Sequence, residues 1–307
     1  FCLSMAVAVS MAAAADTSPS PAKPSVAGTQ GTLSAAAIVD KNVAARGGLQ
    51  QWRAVQTMTI SGKLGAGGNQ RATLAAPAPA SVPSGPVVNR KEMRPIAPPR
   101  PVEEVQLPFV MDLKRPRKLR FELEFSGQIA VQVFDGANGW KLRPYLNRRV
   151  VEPYTADEMK ATSTQADLDG PLVDYAAKGT RVELAGTEKV EDRETYKLKL
   201  TLKDGQVQNV WIDAQTFLET KIQGQPRRMD GTEHPVEVYF RDYREVSGLQ
   251  IPFVLETRVL PVAKTATGFR DTPVPPERIT IEKVVVNPKL EEALFTKPEV
   301  QMASNAK

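Results

Sequence analysis

The chain has 307 residues, 41% of them hydrophobic, and a formal net charge of +5. That apolar fraction supports a packed core and excludes a wholly disordered chain, and so small and dispersed a charge, without interleaved aromatics, argues against nucleic acid as a partner. One cysteine, Cys2, and one histidine, His234, exclude a disulfide framework, a zinc cluster and thiol dyads.

The chain opens on FCLSMAVAVSMAAAADTS, an uncharged apolar run that ends in small residues. This is the pattern of a secretory h-region with a truncated start and cleavage near Ala15, so residues 1–15 are expected to be a signal peptide and the mature chain exported and soluble. The apolar run continues past Cys2, where a lipid-anchored cysteine would be followed by a polar tether. No later stretch approaches the ~20 apolar residues needed to cross a bilayer. Residues 16–31, rich in Pro, Ser, Ala and Thr, are expected to be a flexible lead-in.

A helix is expected over AAAIVDKNVAA, capped by Thr32 or Ser34 and ended by Gly47 and Gly48. Ala36, Val39 and Val43 share one of its faces, and Leu49 and Trp52 follow as packing anchors. TMTISGKL then alternates, with Met58, Ile60 and Leu64 on the apolar side of a strand. Residues 65–108 are Pro-rich and low in complexity, and are expected to be a disordered excursion between two strands. Strand character resumes at Phe109 and recurs at regular intervals to Val286, which predicts about ten strands in one antiparallel meander. Asp204-Gly205 and Ser247-Gly248 fit tight hairpin turns.

Two short helices are expected to interrupt this sheet between Tyr154 and Gly179. Thr155 and Glu158 have capping-box spacing for the first. Asp169 would cap the second, Pro171 suits its first turn, and Leu172, Tyr175 and Ala176 lie on one face. Asn287, Pro288, Leu290 and Leu294 predict a short closing helix or turn, and residues 299–307 a flexible tail.

A single curved sheet has one apolar face that must be covered. The few helices can complete a dry core or leave an apolar groove, and periodicity alone favours neither. Leu119, Phe121, Leu123 and Phe125 are expected on one wall, Leu198 and Leu200 on another, with Leu172 and Tyr175 from the lid and Trp140 and Trp211 as anchors. KRPRKLR offers Lys114, Arg115 and Arg117 as a basic rim, or simply a solvated strand face. His234, before Pro235, has the setting of a solvated loop residue, and Asp167–Gly170 lacks the further ligands of a calcium loop and fits helix capping. No spacing selects a catalytic pair of carboxylates, so no enzyme, catalytic residue, metal or cofactor is expected.

The segments ARGGLQQWRAVQTMTISGKL, QADLDGPLVDYAAKGTRVELAGTEKVEDRETYKLKLTLKDG, VWIDAQTFLETKI, YREVSGLQIPF and VNPKLEEALF, in that order, resemble bacterial periplasmic proteins of the outer-membrane lipoprotein-sorting type. These are similar to LolA and, more distantly, to LolB and RseB. The resemblance covers most of residues 47–298 outside the Pro-rich stretch, and implies one domain over 32–298. It implies a mainly β (α+β) fold: a strongly curved antiparallel sheet forming an incomplete β-barrel, with an N-terminal helix and a short helical lid over an apolar cavity. It also implies a monomeric periplasmic carrier that sequesters a lipid or acylated lipoprotein and hands it to an envelope receptor. The alternative is an envelope-stress sensor or scaffold built on the same fold.

Overall fold

The alternating stretches form thirteen strands where about ten were expected, in a computed structural model that describes residues 33–67, 104–144, 148–229, 231–262 and 274–299. The first six are β1 (Thr57–Gly67), β2 (Glu104–Lys114), β3 (Lys118–Phe125), β4 (Gln128–Phe134), β5 (Gly139–Arg143) and β6 (Arg148–Pro153). The others are β7 (Arg181–Val190), β8 (Arg193–Thr201), β9 (Val207–Asp213), β10 (Glu219–Met229), β11 (Thr232–Val246), β12 (Leu249–Val259) and β13 (Glu277–Val286). Three helices accompany them, α1 (Ala35–Ala45), α2 (Leu49–Ala54) and α3 (Ala156–Gln165), and a 3₁₀ turn at Glu292–Phe295 follows β13. Residues from Ser34 onward belong to one unit. The expected signal peptide, the lead-in and the tail beyond Glu299 lie outside the described residues.

All thirteen strands belong to one sheet, in the order β6-β5-β4-β3-β2-β1-β13-β12-β11-β10-β9-β8-β7. The expected single meander is in fact two, β1–β6 and β7–β13, joined where β1 pairs antiparallel with β13. Hairpin signals are local, whereas the β1–β13 pairing joins the two ends of the sheet sequence and leaves no local trace. The sheet is open: β6 and β7 are its two edges. It is not strongly curled, which corrects the expected strongly curved, incomplete barrel.

Strand β1 runs on to Gly67 and β2 begins at Glu104, where Gly67 pairs with Glu104. Residues 65–67 and 104–108 of the expected excursion are therefore strand, and 68–103 lie outside the described residues. Pro108 sits in β2 opposite Lys63, beyond the last β2–β3 pair at Phe109 and Leu123, so only β1 flanks it. Pro226 falls at a bulge of β10, and Pro252 lies beyond the β12–β13 ladder, which starts at Val254. Each proline occupies a place where a missing amide donor breaks no double-sided ladder.

Ser34 caps α1 as expected, its Oγ accepting from the Ala37 amide at 3.2 Å. The buried face is Ile38, Val39, Asn42 and Val43, and Ala36 is exposed, because one further residue of rotation turns the stripe toward the larger Ile38. Gly47 and Gly48 end the helix at φ +114° and +91°. A Cβ on Gly47 would collide with the Gly248 carbonyl, so this turn docks directly on the β11–β12 hairpin. That hairpin has Ser247 and Gly248 both at positive φ, the two-residue turn expected. The Asp204-Gly205 turn differs: only Gly205 has positive φ, and the loop closes through Gly205 N to Leu202 O and Leu202 N to Gln206 O, a three-residue form.

α3 has its full capping box: Thr155 Oγ1 accepts from the Glu158 amide, and Glu158 accepts from the Thr155 amide. The expected second helix is absent; residues 168–179 are a chain of turns. Gly170 and Asp174 take positive φ, which breaks helical continuity, and the Asp169 carboxylate pairs with cations instead of capping. Asn287 likewise starts no helix. At φ +55°, its side chain accepts from the Gln56 amide at 2.7 Å and fastens the α2–β1 junction.

Candidate functional site: an apolar sheet face and its cover

Residues directly opposite one another in an antiparallel ladder project from the same face. Leu107 lies opposite Leu64, Leu64 opposite Ile279, Ile279 opposite Leu255, and Leu255 opposite Phe240. This apolar row crosses five strands in direct register. A parallel row runs from Val238 through Ile222 and Val210 to Leu198 and Leu184. On the other side, Met111 lies opposite both Ile60 and Phe121, and Phe109 opposite Leu123. One apolar face thus extends from β3 to β7.

Burial along this face is graded. Where the β2–β3, β9–β10 and β11–β12 turns lie, Met58, Leu113, Leu119, Ile212, Leu249 and Ile251 are buried. Toward the opposite end, Leu64, Ile279, Leu255, Phe240, Val238 and Ile222 are only half-buried. In β3 the series runs from Leu119, 3% exposed, through half-buried Phe121 and Leu123 to Phe125, 39% exposed. Val105, on the same side of β2 as Leu107, is 51% exposed. The sheet therefore has a covered end and a more open end, where Leu64, Ile279, Leu255 and Phe240 are half-buried while Leu200, Val236 and Val259 stay buried.

The cover follows from topology. The chain must pass from β6 at one edge to β7 at the other, and a contact of α3 places that connection on the apolar side. α3 is pinned there by Lys141, whose Nζ bonds both Glu158 carboxylate oxygens at 2.5 Å; Lys141 lies opposite Gln132, itself opposite Phe121. Tyr154 enters over Gly139, where a Cβ would collide with its ring. α1 is fixed at the covered end by Asn42 Nδ2 donating to Phe217 O at 2.8 Å, and by Arg46 paired with Glu219 at 3.2 Å.

The turns after α3 are held by a buried ion cluster. Arg115, in the β2–β3 turn, donates to Val55 O, Trp52 O and Asp169 Oδ2, the last at 2.6 Å. Lys178 bonds both Asp167 oxygens, Asp169 Oδ1 and Gly170 O. Burial pushes both carboxyls up. At Asp169 the hydrogen bonds from Lys178 and Arg115 prevail and hold it below the ordinary carboxylate range, while at Asp167 burial prevails and the carboxyl is raised. Arg53 grips Asp174 bidentately at 2.6 and 2.9 Å.

No protein-family model and no curated protein sequence matches this chain. Its architecture does match solved structures. A LolA superfamily protein from Nitrosomonas europaea superposes with a TM-score of 0.50 at 12% identity, over 87% of this chain and 99% of that one. The chain shares its fold with that protein. A DUF1329 family protein from Desulfovibrio piger aligns with a TM-score of 0.48 at 11% identity, over 86% of this chain and 98% of that one. An outer membrane lipoprotein-sorting protein domain from Vibrio parahaemolyticus aligns with a TM-score of 0.46 at 11% identity, over 86% of this chain and 96% of that one.

Within this LolA-like sheet, Leu119, Phe121, Leu123, Phe125, Leu198 and Leu200 project from the apolar face. Trp140 and Trp211 project from the opposite face: Trp140 lies opposite Val133, which lies opposite Arg120, and Trp211 lies opposite Lys197. Leu172 is buried, and it lines with half-buried Tyr175 a cavity of about 500 Å³ against Val39, Val43 and Leu49. Of the basic residues, Lys114 is spent on Leu290 O and Glu292, and Arg115 on the lid cluster. Arg117 lines a cavity of about 310 Å³ with Arg115, Asp167 and Lys178. The half-buried row through Leu64, Ile279, Leu255 and Phe240 lies outside the expected walls, although alternation in GKL, RITIE and FVLET marks it.

The opposite face is a polar and aromatic layer. Lys221 sits over Trp211 at 4.2 Å and bonds Glu237 at 2.6 Å, and Arg258 stacks on Tyr239 at 4.0 Å. Glu191 takes Arg241 and Arg258 together, and is held down to about 2 first by the Arg241 hydrogen bonds. His234, expected in a solvated loop, is a buried strand residue with Nδ1 3.3 Å from Leu260 O. Among the described residues no cluster of three or more His, Cys, Asp or Glu could hold a metal, and no helix is long and apolar enough to cross a membrane.

Proposed function

We propose that the chain is a periplasmic carrier of the lipoprotein-sorting type, which binds an acyl chain of a lipid or acylated lipoprotein on the half-covered apolar face. The observation that carries this reading is the in-register row Leu107, Leu64, Ile279, Leu255 and Phe240, large side chains left half-buried or at the border of burial. A chain laid along it gains ~0.8 kcal/mol per buried methylene. The fold shared with a LolA superfamily protein is consistent with a non-enzymatic, monomeric carrier that meets a membrane-protein receptor. The wall would include Phe121, Leu123, Phe125 and Leu198, with Arg117 as the rim cation.

The test is purification from the native envelope, mass spectrometry of extracted ligands, and titration with a fluorescent acyl probe. A stoichiometric lipid or acylated peptide is expected. Phe121→Asp and Leu255→Asp should each weaken probe binding about tenfold while the folded fraction persists, because both side chains are already partly solvated. An empty protein that also refuses the probe would end the acyl-binding reading and leave a scaffold with a dry core.

A further inference from the structure

The open end of the apolar face carries one ion pair of unusual reach. Arg227 of β10 lies opposite His234 of β11, which alternates in phase with Val236 and Val238 of the apolar face. Glu277 of β13 lies opposite Thr257 of β12, itself opposite Val238. Both side chains thus leave the sheet on the apolar side. Strands β11 and β12 separate their parent strands, yet the two meet bidentately, Nη1 to Oε1 at 2.8 Å and Nη2 to Oε2 at 3.0 Å. On the opposite face, Lys221–Glu237, Lys197–Glu188 and Arg241–Glu256 join immediate neighbours in the sheet, while Arg241 and Arg258 reach Glu191 in the β7–β8 turn.

The position of this bridge matters more than its strength. Along β12 the apolar-face residues run from buried Leu249, Ile251 and Phe253 to half-buried Leu255 and Thr257. The bridge crosses at the level of Thr257 and Val259, beyond half-buried Leu255, and Val259 and its partner Val236 beside it are buried again. Its side chains are 39% and 25% exposed, so it stands at the boundary and salt screens it. A planar guanidinium gripping a carboxylate on both oxygens holds one geometry, which is what a bar across an opening requires.

We propose that Arg227 and Glu277 form a bar over the open end of the apolar face above β11 and β12, which slows the escape of a bound acyl chain. The inference rests on the acyl-binding reading above. The bar closes when both side chains are charged and opens when either partner is lost or when salt competes. Neither side chain takes part in backbone pairing, so removing one leaves the ladder in place.

The experiment measures release of a dansyl-labelled undecanoic acid from the full chain by stopped flow. It compares wild type, Arg227→Gln, Glu277→Gln and the swapped double variant Arg227→Glu/Glu277→Arg, each at low and high salt. Both single variants should release the probe about threefold faster, a factor in keeping with a partly exposed pair. Salt should accelerate wild type toward the single variants and leave those nearly unchanged, and the swapped variant should return toward wild type. Equal rates in all four proteins would overturn the bar while leaving acyl binding intact. Faster release from Arg227→Gln with slower release from Glu277→Gln would also overturn it, because that pattern means a direct contact with the probe carboxylate. A wild type that retains no probe would remove the acyl-binding reading itself, and the bar with it.

Discussion

Asp167 and Asp169 are two residues apart, share the cation Lys178, and have opposite electrostatic fates. Asp169 also faces Arg115, which in turn holds the backbone of Trp52 and Val55, so its carboxylate links the lid turns to α2. Asp169→Asn would leave Arg115 and Lys178 short of a buried counter-charge, at a cost of about 3–5 kcal/mol by urea denaturation. Asp167→Asn should cost less than about 1 kcal/mol, because burial already disfavours the ionised carboxyl there. Equal losses would show that the cluster does not distinguish its two carboxylates. Glu191 tests pH dependence on the other face. Its carboxyl is held down from 4.5 to about 2, so its contribution is complete above 4.5 and is lost as pH falls toward 2. At 38% exposure that contribution is at most about 1 kcal/mol. The Glu191→Gln variant should therefore be less stable than wild type at pH 6 and equal to it near pH 2, in matched urea melts. Glu191 and Asp192, at φ +47° and +68°, form the two-residue turn between β7 and β8, and that turn presents the Glu191 carboxylate to both arginines.

At the level of the element, the cover over the sheet depends on small residues as much as on the helices. Tyr154 introduces α3 by lying flat on Gly139, and burial pushes its phenol up to about 12. Gly139→Ala should destabilise the chain by about 1–3 kcal/mol through overpacking, and the loss should shrink in a Tyr154→Ala background. Additive losses would mean that the glycine acts elsewhere. The helices themselves were legible where local chemistry decides: the Ser34 cap, the glycines after α1 and the Thr155–Glu158 box are all as their spacing predicts. The segment over 168–179 was misread because two positive-φ residues and a side chain diverted to distant cations outweigh its helical pattern. Trp140 and Trp211, expected as anchors of the groove, lie on the other face by their own alternation. In NVWID, Val210 and Ile212 hold the apolar face, so Trp211 must point the other way, where lysines stack on it.

For the whole molecule, local pattern revealed the strands but not their order, since period-two alternation carries no information about which distant strand becomes a neighbour. The β1–β13 seam is the consequence: it joins two meanders into one face and places the first and last strands at its centre. That seam also limits what the Pro-rich segment can contribute. β1 and β2 are already neighbours over their full length, from Thr57 opposite Lys114 to Gly67 opposite Glu104. The two ends of residues 68–103 thus leave the sheet side by side, and a tight turn could join them without moving either strand. Closing a loop of that length costs entropy that grows by about 0.6 kcal/mol per doubling, so replacing residues 68–103 with an Asn-Gly turn should stabilise the chain by about 2 kcal/mol. The measurement is a urea titration of the shortened chain beside the full one, with the acyl probe as a second readout. Higher stability with unchanged probe affinity would make the segment an addition that the sheet does not need. Lower stability would mean that 68–103 packs on the fold, and unchanged stability with altered affinity would place it at the open end as part of the binding surface.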